Sequence, residues 1–344
     1  MVKVSLLAPI LLTAAVLLPA HAQNATTTPV GVVTVQLDAN KKTALSLPLE
    51  KSPIASGNVT AVTAATISDS AATLPALSTN HFVRIKSGNA AGRNLRITSN
   101  TGTTMTVETG VGSWALPVDS SGNNTVSVAV GDKYEIVPMW TLGEVFGSNS
   151  TTSVLRTATN PNSADQITVY SDGTVQAFFN NGTNWRNAAS SSDTNNYNSY
   201  GLLPTGGIWV TRRSTGTNAE LQFTGNVVST AARMHMPGGN RFGQSIPYAS
   251  RATLGTLSLA SLSSWTKNNN PNNADQVTIY RPDNTVGSYF VNAAGVWRNA
   301  LSSLDTTDYT NTEIPAGSGL WITRRGAATG STANVNSTLP YSLQ

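Results

Sequence analysis

The chemistry open to this chain rests on few side chains. Beyond the N-terminal segment the only histidines are His81 and His235, and cysteine is absent throughout. Neither a histidine pair at metal-binding spacing nor a Gly-x-Ser-x-Gly nucleophile elbow occurs. Paired carboxylates are another route to catalysis, one acting as acid and the other as base or nucleophile across a glycosidic bond. Asp165, Asp193, Asp275 and Asp305 are of the right type. Each, however, occupies a position that occurs twice in the chain, whereas one active centre needs one constellation. They read better as turn caps or arginine partners. Asp193-Thr194-Asn195-Asn196 and Asp305-Thr306-Thr307-Asp308 crowd oxygen atoms into a loop, making Asp193, Asp305 and Asp308 conceivable calcium ligands, but without the spacing or glycine of a known calcium loop. No catalytic residue, metal site or other cofactor is expected.

Four of the seven tryptophans, Trp185, Trp209, Trp297 and Trp321, also fall at matched positions. An indole face can carry the CH groups of a sugar ring, or it can fill a core. Trp209 lies between Ile208 and Val210, and Trp321 between Leu320 and Ile322. Strand alternation turns each away from its neighbours, so both strand faces are apolar and burial is expected. Trp185 and Trp297 follow a turn and precede Arg186 and Arg298, where partial exposure is expected. With Tyr197 and Tyr309 they are the candidate ligand-binding residues, a duplicated pair of aromatic platforms.

These positions match because a stretch of the chain recurs. Ala164-Asp165-Gln166-Ile167-Thr168-Val169-Tyr170 returns as Ala274-Asp275-Gln276-Val277-Thr278-Ile279-Tyr280, and Trp185-Arg186-Asn187-Ala188 as Trp297-Arg298-Asn299-Ala300. Ile208-Trp209-Val210-Thr211-Arg212-Arg213 matches Leu320-Trp321-Ile322-Thr323-Arg324-Arg325. The marks Asp165, Asp275, Trp209, Trp321, Arg213 and Arg325 therefore belong to the way a module folds. Short alternating runs of Val, Ile, Thr, Tyr and Phe between Gly, Asn, Asp and Pro clusters, with no long helical period, predict an all-β protein. The expected order is a signal peptide over 1–22, a leading β-hairpin over 23–51 and a small β-barrel or sandwich-like domain over 52–140. Two tandem β-meander modules follow at 141–213 and 253–326, with a connector containing a second hairpin at 214–252 and a flexible tail at 327–344. Val35-x-Leu37 through Ser46-Leu47-Pro48 is echoed by Met234-x-Met236 through Ser245-Ile246-Pro247, so the 52–140 domain reads as an insertion into the first copy.

Composition narrows the partners. Lys3, the apolar run from Val4 to Pro19 and the small-x-small site Ala20-His21-Ala22 read as an export signal. No later stretch is apolar enough to span a bilayer. Charged residues are only 11% and the net charge is +4, with basic residues spread along the chain, so nucleic acid is not expected as a partner.

Gly131-Asp132-x-Tyr134-x-Ile136, Trp140-Thr141-Leu142-Gly143-x-x-Phe146, the Trp-Arg pairs and Asn240-Arg241-Phe242-Gly243-Gln244-Ser245-Ile246-Pro247 resemble the marks of a family of exported bacterial β-rich proteins with no activity assigned to it. The resemblance implies secretion and a β architecture and carries over no site residues. The leading expectation is a non-enzymatic secreted or cell-surface structural protein that self-associates or joins other surface proteins, because strand edges pair readily. The alternative is a polysaccharide-binding protein using the aromatic platforms; a hydrolase comes third. Location in the medium, at the surface or in the periplasm is left open.

Overall fold

The computed structural model describes residues 29–108, 127–171, 174–190, 192–213, 217–237, 241–302, 304–325, 332–336 and 339–340. The segment read as a signal peptide lies outside them. The protein is all-β, its strands pairing antiparallel.

In chain order, the first unit opens with β1 (Val30–Leu37) and β2 (Lys42–Leu45). Next come β3 (Ala55–Asn58), β4 (Ala61–Val62), β5 (Thr66–Ser68), β6 (His81–Ile85), β7 (Asn94–Asn100), β8 (Thr104–Val107) and β9 (Lys133–Pro138). The first unit resumes with β10 (Trp140–Thr141), the one-turn α1 (Leu142–Phe146), β11 (Gln166–Ser171), β12 (Thr174–Asn180), β13 (Trp185–Asn187), β14 (Gly201–Leu202), β15 (Gly207–Thr211) and β16 (Ala219–Asn226). The second unit comprises β17 (Arg233–Pro237), β18 (Arg241–Ser245), β19 (Ala252–Thr253), β20 (Gln276–Tyr280), β21 (Val286–Val291), β22 (Trp297–Asn299), β23 (Glu313–Ile314), β24 (Gly319–Thr323) and β25 (Thr332–Asn336).

The first unit builds a five-stranded sheet in the order β13-β12-β11-β15-β2, and the second repeats it as β22-β21-β20-β24-β18. Registers agree as well: Ile167 faces Val210 as Val277 faces Ile322, and Leu45 faces Ile208 as Gln244 faces Leu320. Two-residue periodicity explains the layering. Ile167, Val169, Ile208 and Val210 point to one face, where Val35, Leu37, Leu221 and Phe223 of the β1–β16 ribbon close the core over Trp185 and Phe178. The first unit is thus a sheet covered by the two-stranded ribbon β1–β16, and the second unit has a matching ribbon, β17–β25.

This layering corrects two expectations. The segments read as hairpins do not pair with themselves: β1 joins β16 while β2 joins β15, and β17 joins β25 while β18 joins β24. A chain that turns between layers lets both strands bury a face in one core, and Asn40, at φ 57, supplies a left-handed residue in the first such turn. The stretch read as a tail likewise contains β25, the counterpart of β16.

Between β2 and β10 the first unit carries a seven-stranded half-barrel in the order β3-β9-β6-β7-β8-β5-β4, around Ile67, Val83, Ile97, Met105, Tyr134 and Ile136. In the second unit only residues 246–251 separate the matching strands. Buried Arg84 on β6 ties the half-barrel to the first unit, clasping the Glu50 carboxylate with both terminal nitrogens and reaching Glu135 at 3.2 Å. Burial opposes that guanidinium charge, but the two carboxylates overcome the opposition and hold its pKa above the usual value.

The units pack sheet to sheet with reciprocal contacts. Tyr170 meets Trp321 edge-on at 5.2 Å, Tyr280 meets Trp209 at 4.5 Å, and the two indoles lie 6.0 Å apart between them. Ser46 N–H donates to Gly317 O at 3.0 Å, and its counterpart Ser245 N–H donates to Thr205 O at 3.2 Å. Such self-complementary pairing is the pattern of a two-fold dimer interface, here within one chain. Close approach requires small residues: a Cβ on Gly207 would lie 2.5 Å from the Gly243 carbonyl carbon, and one on Gly319 would lie 2.4 Å from the Ala44 Cβ.

Candidate functional site

The aromatic platforms expected at Trp185 and Trp297 do not exist. Their side chains are 0% and 1% exposed, and Trp185 is held inside by an indole N–H bond to Gly147 O at 2.7 Å and edge contact with Phe146. A sugar ring has no face to stack on. The covering element is the loop after each tryptophan strand, which brings Tyr197 and Tyr309 over the core. Tyr197 N–H bonds Trp185 O at 2.9 Å, Tyr309 N–H bonds Trp297 O at 3.1 Å, and the rings lean on Phe178 and Tyr289. Trp209 and Trp321 are half-buried, enclosed between the two units.

The loop carboxylates serve the same closure. Asp193 accepts the Tyr197 hydroxyl at 2.6 Å and Asn195 N–H at 2.9 Å; Asp305 accepts Tyr309 and Thr307 N–H in the same way. The tyrosine bond, with the turn amide behind it, holds both carboxyls below their ordinary pKa and raises both phenols. Asp308 caps Thr310 N–H at 2.8 Å. Among the described residues no three acidic, histidine or cysteine side chains gather as a metal would require. His81 sits on β6 with Nδ1 against Ser78, while His235 lies on β17 in another sheet.

Asp165 and Asp275 are buried under the ends of β15 and β24. Asp165 accepts Arg212 Nε at 2.7 Å, Arg213 N–H at 2.6 Å and Arg156 N–H at 2.9 Å. Asp275 accepts Arg324 Nε, Arg325 N–H and Thr266 N–H at 2.7, 2.6 and 3.0 Å. The ion-pairing arginine is therefore the first of each Arg-Arg pair. Arg213 and Arg325 contribute their backbone amides, and at the surface the Arg213 side chain is half-buried and that of Arg325 exposed.

In the first unit that surface is concave. A cavity of about 540 Å³ opens where the β1–β2 turn, the end of β15 and the segment before β11 converge. Lys41, Lys42, Arg156, Arg212 and Arg213 line it, together with the neutral donors and acceptors Asn40, Asn162 and Ser163. Among the described residues no carboxylate is in its wall; Asp165 is committed beneath it. Arg213 Nε is buried with no hydrogen-bond partner, an unmet donor. Sequence reasoning missed this cluster because its cations are far apart along the chain.

Comparisons with protein families, with curated proteins and with solved structures return no match. No helix among the described residues is long and apolar enough to cross a membrane.

Proposed function

We propose that this is a non-enzymatic, exported structural protein of the cell surface or its surroundings that associates with further copies of itself through the β1–β16 ribbon. The observation that carries this reading is the outer edge of β1. Val227 N–H donates to Pro29 O, which fixes the ladder phase: Gly31, Val33 and Val35 exchange bonds with β16, so the amides and carbonyls of Val30, Val32 and Thr34 point the other way. On β16 the corresponding outward groups of Asn226 are taken by Glu50. Along β1 only β16 is paired among the described residues, and Val30 and Val32 are 66% and 59% exposed. The strand Val-Gly-Val-Val-Thr-Val-Gln-Leu has no charge and no proline, the two features that usually guard an edge. The sheet edges at β13 and β22, by contrast, are closed by their own loops. The signal-like leader supports export.

Sedimentation velocity of the mature protein over a concentration series tests this. Association is expected in the wild type and is expected to disappear in Val32→Pro, which removes an outward N–H without breaking a β1–β16 bond, and in Val32→Lys. A wild type that stays monomeric at the highest concentration would overturn the reading.

A further inference from the structure

We infer that the cavity of the first unit is a binding site for an acidic sugar unit, a hydroxyl-bearing ring carrying a carboxylate or a sulfate. This goes beyond self-association and stands on separate residues.

Charge is the first argument. Lys41, Lys42, Arg156 and Arg213 converge on the cavity beside Arg212 in a chain with only 11% charged residues, and the carboxylate beneath them, Asp165, is held by three N–H donors, Arg212 Nε and the backbone amides of Arg213 and Arg156. A concave wall of one sign concentrates anions and offers forked guanidinium donors to a planar or tetrahedral oxyanion. Arg212, paired with Asp165 and bonded to Leu37 O and Thr217 O at 2.9 and 3.0 Å, is a fixed part of the wall, which leaves Lys41, Lys42, Arg156 and Arg213 to meet an anion. Lys41 and Lys42 are exposed at the rim, where they can close on a bound group.

Size and wall chemistry give the rest. A volume of about 540 Å³ is far more than a bare sulfate or phosphate ion fills and suits one or two sugar rings. Asn40, Asn162, Ser163 and Thr211 add paired donors and acceptors of the kind that hydroxyl groups use. Among the described residues no aromatic side chain lines the cavity, so they offer neither the stacking floor that favours neutral sugars nor the platform that single-stranded nucleic acid needs. The second unit sharpens the point: at the positions of Lys41 and Arg156 it has Asn240 and Thr266, leaving Arg241, Arg324 and Arg325 as basic counterparts, with Lys267 standing where the first unit has Thr157. The same scaffold persists without the full charge, which separates the cations of the first unit from the needs of folding.

The test is isothermal titration of the full mature protein at low salt with a galacturonate tetramer, a sulfated disaccharide, a neutral galactose tetramer and sodium sulfate. Binding of at least one acidic sugar is expected, weakened by added salt. Lys41→Gln with Lys42→Gln is expected to weaken it by on the order of tenfold with the melting temperature unchanged, because both side chains are exposed, and Arg156→Thr is expected to weaken it likewise. Arg325→Gln in the second unit is expected to leave it intact. The proposal fails if neither acidic sugar binds, if the neutral tetramer binds as well, if sodium sulfate displaces the sugar at equal concentration, or if the lysine and Arg156 variants bind like wild type. A monomeric protein that binds acidic sugar would overturn self-association and leave this site standing.

Discussion

The two units share one scaffold and diverge where the scaffold does not constrain them. Both bury an aspartate under an arginine, both cover a tryptophan with a tyrosine loop, and both present an indole to the other unit. They differ above the buried pair. In the second unit Trp265 lies under the Arg324 guanidinium at 5.5 Å, whereas Leu155 occupies the matching place in the first. The next residue is Thr266 in one and Arg156 in the other. The second unit thus invests this corner in its core, and the first leaves it open and basic. Positions that agree define folding; those that disagree in charge are where a function specific to one unit can reside.

The largest effect that can test this equivalence comes from the buried pairs. Asp165→Ala leaves Arg212 buried without its partner, and Asp275→Ala does the same to Arg324, whose side chain is 0% exposed. Each substitution is expected to cost about 3–5 kcal/mol, because an uncompensated buried charge outweighs the lost attraction. Urea unfolding of both variants provides the measurement. A large loss at one site and almost none at the other would show that the two pairs do not do the same structural work.

A smaller effect probes the interface between the units. Gly207→Ala forces a methyl against the Gly243 backbone, and Gly319→Ala forces one against Ala44. Overpacking of this kind costs roughly 1–3 kcal/mol. The contacts are reciprocal, so the two losses should be alike and their effects should fall short of additive, since either one already parts the same sheets. Additivity within error would mean that the contacts are independent.

Alternation within strands such as β11, β15, β20 and β24 was enough to read the fold class, because a two-residue period is a local property of the chain. β16 and β25 escaped for the opposite reason: Ala-Glu-Leu-Gln-Phe-Thr-Gly-Asn and Thr-Ala-Asn-Val-Asn share a role but almost no residues. The burial of Trp185 and Trp297 depends on a loop that follows each by about ten residues and folds back, which no local pattern reports. The basic cavity needed the whole fold, since Lys41 and Arg213 meet only after β1, β2 and β15 are in place. One cue was nonetheless present in the sequence: Arg156 and Thr266 are matched positions that differ in charge.

The gentlest perturbation is acid, and it should act on both units alike. The Asp193 and Asp305 carboxyls have pKa values lowered by their tyrosine hydroxyl bonds. A carboxyl depressed in the folded state adds stability that is fully present above the unfolded value, about 3.9, and is lost as pH falls through the folded value. Both loops are therefore expected to loosen only below about pH 4, while the global fold persists through its cores. Hydrogen exchange at the Tyr197 and Tyr309 amides, which bond to Trp185 and Trp297, reads this directly. Tyr197→Phe removes the hydroxyl that lowers Asp193, so it should move the transition in the first unit toward ordinary carboxylate pH and leave that of Tyr309 where it was. If Tyr309 shifted equally, the loops would be coupled through the interface rather than closed separately, and the two units would have to be treated as one cooperative body.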